Sequence, residues 1–147
     1  MKIVLQRVAM ASVDVEKERI AEIDRGLLLL VGIGDDDASV DLVKTAKKIV
    51  DLRIFEDDDG KMNLSLRDIG GAILAVSQFT LYADISKGRR PSFVRAAPPE
   101  VAEPLFNAFV DALQAENVEV QTGQFGAKMA VQLENDGPVT LTIEVAA

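Results

Sequence analysis

The sequence predicts an α/β fold: a single domain over residues 1–147, built on a mixed β-sheet that approaches a barrel, with two main helices packed on it. Three observations carry that prediction. Strand-like alternation of apolar and polar residues recurs from the first residues to the last. One continuous apolar run, residues 27–33, suits a central strand covered on both faces. Two segments, near residues 42–50 and 101–113, repeat apolar residues at helical spacing. With 147 residues, 48% of them hydrophobic, the chain can fill one core.

Taken in order, residues 2–9 alternate Ile3, Leu5 and Arg7 against Val4, Gln6 and Val8, a strand rich in β-branched residues. Arg7 among apolar neighbours either snorkels to water or anchors a carbonyl-rich site. Residues 12–16 and 19–24 predict a hairpin around Lys17-Glu18. Gly26 opens the apolar run, and Gly34-Asp35-Asp36-Asp37 ends it. That acidic triplet is read as the capped start of the first helix, where carboxylates suit orphan amides and the helix dipole. Leu42, Ala46, Ile49 and Val50 form its buried stripe. Residues 52–55 read as a short strand, and Asp57-Asp58-Asp59-Gly60 as an acidic turn, since the later ligands of a calcium loop are missing. Gly70-Gly71 marks another turn. Residues 72–82 predict a strand with polar residues on both faces, a local inconsistency of the kind functional sites produce. Residues 84–95 form a loop with Lys87, Arg89, Arg90 and Arg95, read either as a solvated loop or as a phosphate-binding one. Pro98-Pro99 opens the second helix, which Pro104 is expected to kink or shorten. A strand near residues 118–121 follows. Then come two alternating runs, Met129 to Glu134 and Val139 to Val145, joined by Asn135-Asp136-Gly137-Pro138 as a hairpin turn. On those residues alone the Gly137–Pro138 bond is read as trans, because cis bonds make up only about 5–6% of X-Pro bonds in folded proteins.

Composition excludes whole classes of chemistry. The chain has no histidine and no cysteine. Serine–histidine and cysteine–histidine triads are therefore impossible, and neither a thiolate nor an imidazole is present to hold a metal. No metal and no cofactor is expected. A catalytic group must be Ser, Thr, Lys, Tyr, a carboxylate or the backbone, or must come with the substrate. Sixteen Lys and Arg against 24 Asp and Glu give a net charge of −8, which argues against extensive nucleic-acid contact and leaves room for a small local patch. No membrane partner is expected, as no run nears the roughly 20 apolar residues of a span. The N-terminal residues enter alternation at once, so a cytoplasmic location is expected.

Two stretches, Ser77-Gln78-Phe79-Thr80-Leu81 and Asn135-Asp136-Gly137-Pro138-Val139-Thr140, resemble the two signature motifs of D-aminoacyl-tRNA deacylases of the bacterial and eukaryotic type. Gln6-Arg7-Val8, Gly60-Lys61-Met62-Asn63-Leu64, Arg90-Pro91-Ser92-Phe93 and Gln121-Thr122-Gly123 add further similarity, in the family's order and over the full length. A related vertebrate deacylase with relaxed chirality carries other residues at the Ser77 and Phe79 positions, so the resemblance here is to the D-specific branch. Pro104 departs from the pattern, and only the geometry of its helix is put in doubt.

The resemblance implies hydrolysis of the ester of D-aminoacyl-tRNA to free tRNA and D-amino acid; because a wall that excludes only L side chains admits glycine, glycyl-tRNA is expected as a second substrate. It implies a homodimer that binds the 3′ end of tRNA and no DNA. It also implies a cis Gly137–Pro138 bond reaching into the partner's pocket. The site residues it implies are Ser77, Gln78, Phe79 and Thr80 for catalysis, and Gly137, Pro138, Asn135, Arg7 and Met129 for substrate binding. Backbone amides near Gln78, Phe79 and Thr80 would stabilise the oxyanion. The activating group would be either the vicinal 2′-hydroxyl of the substrate or Thr80 as a nucleophile. Two other classes remain open on sequence: a non-catalytic dimeric RNA-end-binding module, and a small-molecule hydrolase using Asp84 or Glu134 as base.

Overall fold

A computed structural model describes residues 1–147. Its backbone is β1 (Lys2–Val15), β2 (Glu18–Ile23), β3 (Gly26–Gly32), α1 (Leu42–Asp51), β4 (Phe55–Glu56), β5 (Met62–Leu64), α2 (Leu66–Ile69), β6 (Ala72–Ser77), α3 (Pro99–Gln114), β7 (Glu119–Thr122) and β8 (Ala130–Glu144). Single 3₁₀ turns occupy Asp37–Ser39 and Phe79–Tyr82.

The sheet is organised around β1, which is one 14-residue strand where the sequence suggested two. A strand has only two edges. β8 runs antiparallel along one of them, pairing from Lys2↔Glu144 to Asp14↔Ala130. β2 and β3 must therefore share the other edge end to end, β2 beside residues 11–15 and β3 beside residues 2–8. The β1–β2 turn falls on Glu16 and Lys17, both at positive φ. β3 continues the sheet in parallel to β6, and β6 in parallel to β7. The Glu22 amide of β2 donates to the Gln121 side chain of β7 (2.8 Å), drawing the two ends together into a nearly closed barrel.

The two sheet faces bury different things. Ile3 and Leu5 of β1, Leu27, Leu29 and Val31 of β3, and Ile73 and Ala75 of β6 face α1 and α3 in the main core. Val8, Ala11 and Val13, with Leu28, Leu74 and Val76, fill a smaller core on the opposite side. β3 serves both, which is why its sequence is apolar without alternation. α1 contributes Ala46, Ile49 and Val50. α3 contributes Ala102, Phe106, Phe109, Val110 and Leu113. At roughly 1.5–3 kcal/mol for each large apolar side chain fully buried, these faces hold both helices on the sheet.

Several expectations change. The N-cap of α1 is Asp41, which accepts the Lys44 amide (3.0 Å), and not the Asp35–Asp37 triplet. Asp37 is instead buried and accepts the Met1 ammonium (2.5 Å), the Gly34 amide (2.6 Å) and the Tyr82 hydroxyl (3.1 Å). α2 went unread because it is only one turn. Its Ser65–Asp68 capping box is nonetheless legible. Pro104 lies inside an unshortened α3, where its missing N–H leaves only the carbonyl of exposed Glu100 without a helical donor. The strand expected over residues 72–82 ends at Ser77 and turns out of the sheet. The hairpin expected at residues 135–138 does not exist, because the two halves of β8 pair with β1 and not with each other.

Candidate active site

The two motifs occupy different places. At the end of β6 the chain leaves the sheet, and the Gln78 amide donates to the Val31 carbonyl of β3 (2.8 Å). Gln78 then enters the 3₁₀ turn that carries Phe79 and Thr80. This turn folds back closely on β3. A Cβ on Gly34 would come within 2.7 Å of the Tyr82 ring, so only glycine leaves room there. The Tyr82 hydroxyl anchors the far end of the turn on Asp37. Burial, reinforced by the Asp37 charge, raises the Tyr82 pKa and keeps the phenol neutral.

The turn opens into a cleft of about 530 Å³. Ser77, Gln78 and Phe79 form one wall, and Phe93, Phe125 and Met129 help close the others. Phe79 and Phe93 meet edge to face, with ring centroids 5.2 Å apart. The cleft is mostly apolar, and its polar groups come from the Ser77–Gln78 segment, a pattern suited to a small organic ligand. Phe79 and Thr80 are the first two residues of the turn, and no side chain caps it, so their amides have no partner within the chain. The Gln78 amide, also expected as an oxyanion donor, is already committed to Val31. Thr80 is exposed, and its hydroxyl accepts a short hydrogen bond from the Gln78 side-chain amide. An amide is no base, and no carboxylate or lysine bonds that hydroxyl.

The second motif is a loop bulging from β8. β1 advances two residues, from Gln6 to Val8, while β8 advances five, from Thr140 back to Asn135. The chain between leaves the ladder, and Gly137 and Pro138 stand exposed. Their peptide bond is cis. Two polar side chains hold the bulge. Asn135 clips its base by accepting the Val139 amide (2.7 Å) and donating to the Val139 carbonyl (3.2 Å). Arg7 lies beneath, 4% exposed, donating to the Asp136 carbonyl (2.8 Å) and the Ile54 carbonyl (2.6 Å). Of the two roles open to Arg7 on sequence, the buried anchor replaces the snorkelling one. Gly137 has φ +150, and a Cβ there would sit 2.8 Å from Val139 and 3.2 Å from the Arg7 guanidinium. The carbonyls of Gly137 and Pro138 accept no bond from the chain's own side chains.

One chain does not bring these motifs together. Ser77, Gln78, Phe79 and Met129 line the cleft, whereas Thr80, Arg7, Asn135, Gly137 and Pro138 do not. Phe93 and Phe125 were not singled out by sequence reasoning as parts of the site. Phe93 had a signal in the Arg90-Pro91-Ser92-Phe93 similarity, whereas Phe125 had only its place in a Gly-flanked loop of a chain poor in aromatics. The acidic runs at residues 35–37 and 57–59 form no metal-ligand cluster, and no helix is long and apolar enough to cross a membrane.

Comparison with known proteins agrees with the motifs. The sequence profile of the family described as D-Tyr-tRNA(Tyr) deacylase matches residues 4–144. The chain is 54% identical to the D-aminoacyl-tRNA deacylase of Thermosipho africanus over 144 residues, 98% of this chain and 97% of that one. It is 59% identical to that of Chloroherpeton thalassium over 145 residues, 98% and 95% of the two chains. Among solved structures, the c-Myc DNA Unwinding Element Binding Protein superposes with a TM-score of 0.91 at 43% identity, covering all of both chains. A probable eukaryotic D-amino acid tRNA deacylase superposes with a TM-score of 0.82 at 19% identity, over 97% of each chain, a likeness of fold.

Proposed function

Because this chain belongs to the D-aminoacyl-tRNA deacylase family and is thereby a hydrolase, we propose that it works as a homodimer in which the Gly137–Pro138 corner of each subunit closes the cleft of the other. One observation carries the reading. The corner is exposed, braced by Arg7 and Asn135, and absent from the cleft of its own chain. A braced surface feature whose carbonyls no side chain of its own chain engages, standing outside its own chain's cleft, suits a site completed by a second copy.

The cleft then receives the 3′-terminal aminoacyl-adenosine, and the partner's corner meets the α-carbon. Main-chain carbonyls have no rotamers through which to yield. They accept from the substrate ammonium and exclude an L side chain by overlap. Rejecting the L-form by ~10³ to 10⁴ requires roughly 4–5.5 kcal/mol. A methylene-sized preference of about 1–3 kcal/mol is too small, while overlap with a fixed wall and an unpaired polar group reaches it. Glycine has no side chain to exclude, so glycyl-tRNA is a second substrate. The role is proofreading of charged tRNA in the cytoplasm.

For the chemistry, the amides of Phe79 and Thr80 are the oxyanion donors. The 2′-hydroxyl of the substrate ribose activates the attack, since the Thr80 hydroxyl has no base beside it. The ester bond to the 3′-oxygen breaks, water supplies the new carboxylate oxygen, and the 3′-oxygen leaves with the proton. A deacylation assay with D-tyrosyl-, L-tyrosyl- and glycyl-tRNA, run beside a measurement of solution mass, tests the whole reading. D and glycyl esters cleaved by a dimer, with the L ester spared, is the expected result. Equal cleavage of both hands, or full activity in a monomer, overturns it.

A further inference from the structure

Resting on that assignment of the cleft, we propose that the exposed loop between Asp84 and Ser92 is an arm that grips the phosphates of the RNA strand leading into it. Three observations point there. First, the loop is pinned at its base and projects beyond it. Asp84 and Ser92 exchange both backbone hydrogen bonds (2.8 and 3.0 Å), the Asp84 carboxylate accepts the Ser86 amide (2.9 Å), and residues 85–91 are all exposed. Gly88, at φ +71, turns the tip.

Second, its cations are unspent. Arg95, outside the pinned base, is neutralised by Asp35 (3.1 Å) and Asp36 (3.5 Å). Lys87, Arg89 and Arg90 make no ion pair, although the chain carries eight more acidic than basic residues. In a protein of that balance, three unpaired cations crowded into one loop tip make a local positive site on an acidic chain. The only acid within the loop, Asp84, is at its base.

Third, the loop ends on the cleft. Phe93, one residue beyond the pinned base, lines the cleft and packs on Phe79. At about 3.3–3.6 Å per residue, Arg90 lies within ~11 Å of Phe93 and Lys87 within ~22 Å. That is the span of the few nucleotides that precede a terminal adenosine. Guanidinium forks fit phosphate oxygens, and a lysine adds a point charge. Extended duplex contact would need far more positive surface than three residues supply.

The test compares D-tyrosyl-tRNA with 3′-O-D-tyrosyl-adenosine, which has no phosphate. Three single-strand contacts give log(kcat/KM) against log[salt] a slope of about −2 for the tRNA and none for the nucleoside. Substituting Lys87→Gln, Arg89→Gln and Arg90→Gln together is expected to raise KM for the tRNA about a hundredfold near 0.1 M salt, flatten the slope and leave kcat and nucleoside cleavage unchanged. Arg95→Gln, removing a cation already paired, leaves the slope as it was. A wild-type slope near zero, a triple variant with unaltered KM for tRNA, or equal losses on both substrates overturns the arm while the deacylase reading stands. A wild type that cleaves neither substrate overturns that reading, and the arm with it.

Discussion

Replacing Arg7 by Met tests whether the corner is held from below. The substitution keeps most of the buried stem and removes the guanidinium. Two hydrogen bonds vanish, to the carbonyls of Asp136 (2.8 Å) and Ile54 (2.6 Å). Bonds from a charged donor contribute about 1.5–3 kcal/mol each, so the gross loss is roughly 3–6 kcal/mol. Relief of guanidinium burial offsets part of it. The weak ion pairs to Glu56 (4.0 Å) and Asp136 (3.6 Å), whose partners are about half exposed, add little. A net destabilisation of about 3 kcal/mol is expected, or roughly 6–12 °C in Tm for a chain of this size, read at fixed protein concentration because dimerisation contributes to stability. The loss falls on the bulge, so the ratio of D- to L-tyrosyl-tRNA hydrolysis should drop at least ~tenfold, about 1.4 kcal/mol of discrimination. Arg7→Lys keeps the charge without the fork and should fall between the two. A Met variant that melts within about 2 °C of wild type and keeps its D-to-L ratio refutes the bracing role.

Gly137→Ala puts a Cβ against Val139 and the Arg7 guanidinium at a φ that L-residues rarely adopt, so a loss of about 1–3 kcal/mol is expected from denaturant unfolding, together with a narrowed D-to-L ratio. Thr80→Val removes a hydroxyl that has no base and should keep kcat within about tenfold, whereas a 2′-deoxy substrate should lose at least ~10²-fold, both read by single-turnover deacylation. An inactive but folded Val variant beside an intact 2′-deoxy rate would make Thr80 the nucleophile. Asn135→Ala unclips the base of the bulge from Val139, and a stability loss of about 1–2 kcal/mol is expected by thermal unfolding.

The sequence by itself determined the α/β class, the doubly covered central strand, both main helices and the two motifs. Each of these depends on local chemistry: apolar spacing, β-branching, or a short polar string within an apolar run. Sequence also excluded histidine and thiolate chemistry outright. Tertiary structure alone decided the rest. Asp35–Asp37 looked like a helix cap because carboxylates suit caps, yet Asp37 is drawn inward by the Met1 ammonium and the Tyr82 phenol, both distant in sequence, and by the Gly34 amide three residues before it. Residues 72–82 looked like one strand because their alternation continues, yet the Gln78 amide finds Val31 and the chain turns out. The stretch at 135–138 looked like a hairpin because Asp-Gly-Pro favours a turn. Whether its flanking strands pair with each other or both with a third depends on β1, which lies some 130 residues away in sequence and offers both halves one continuous edge. Side-chain periodicity reports which face a residue presents. It carries no information about which partner that face or edge will meet.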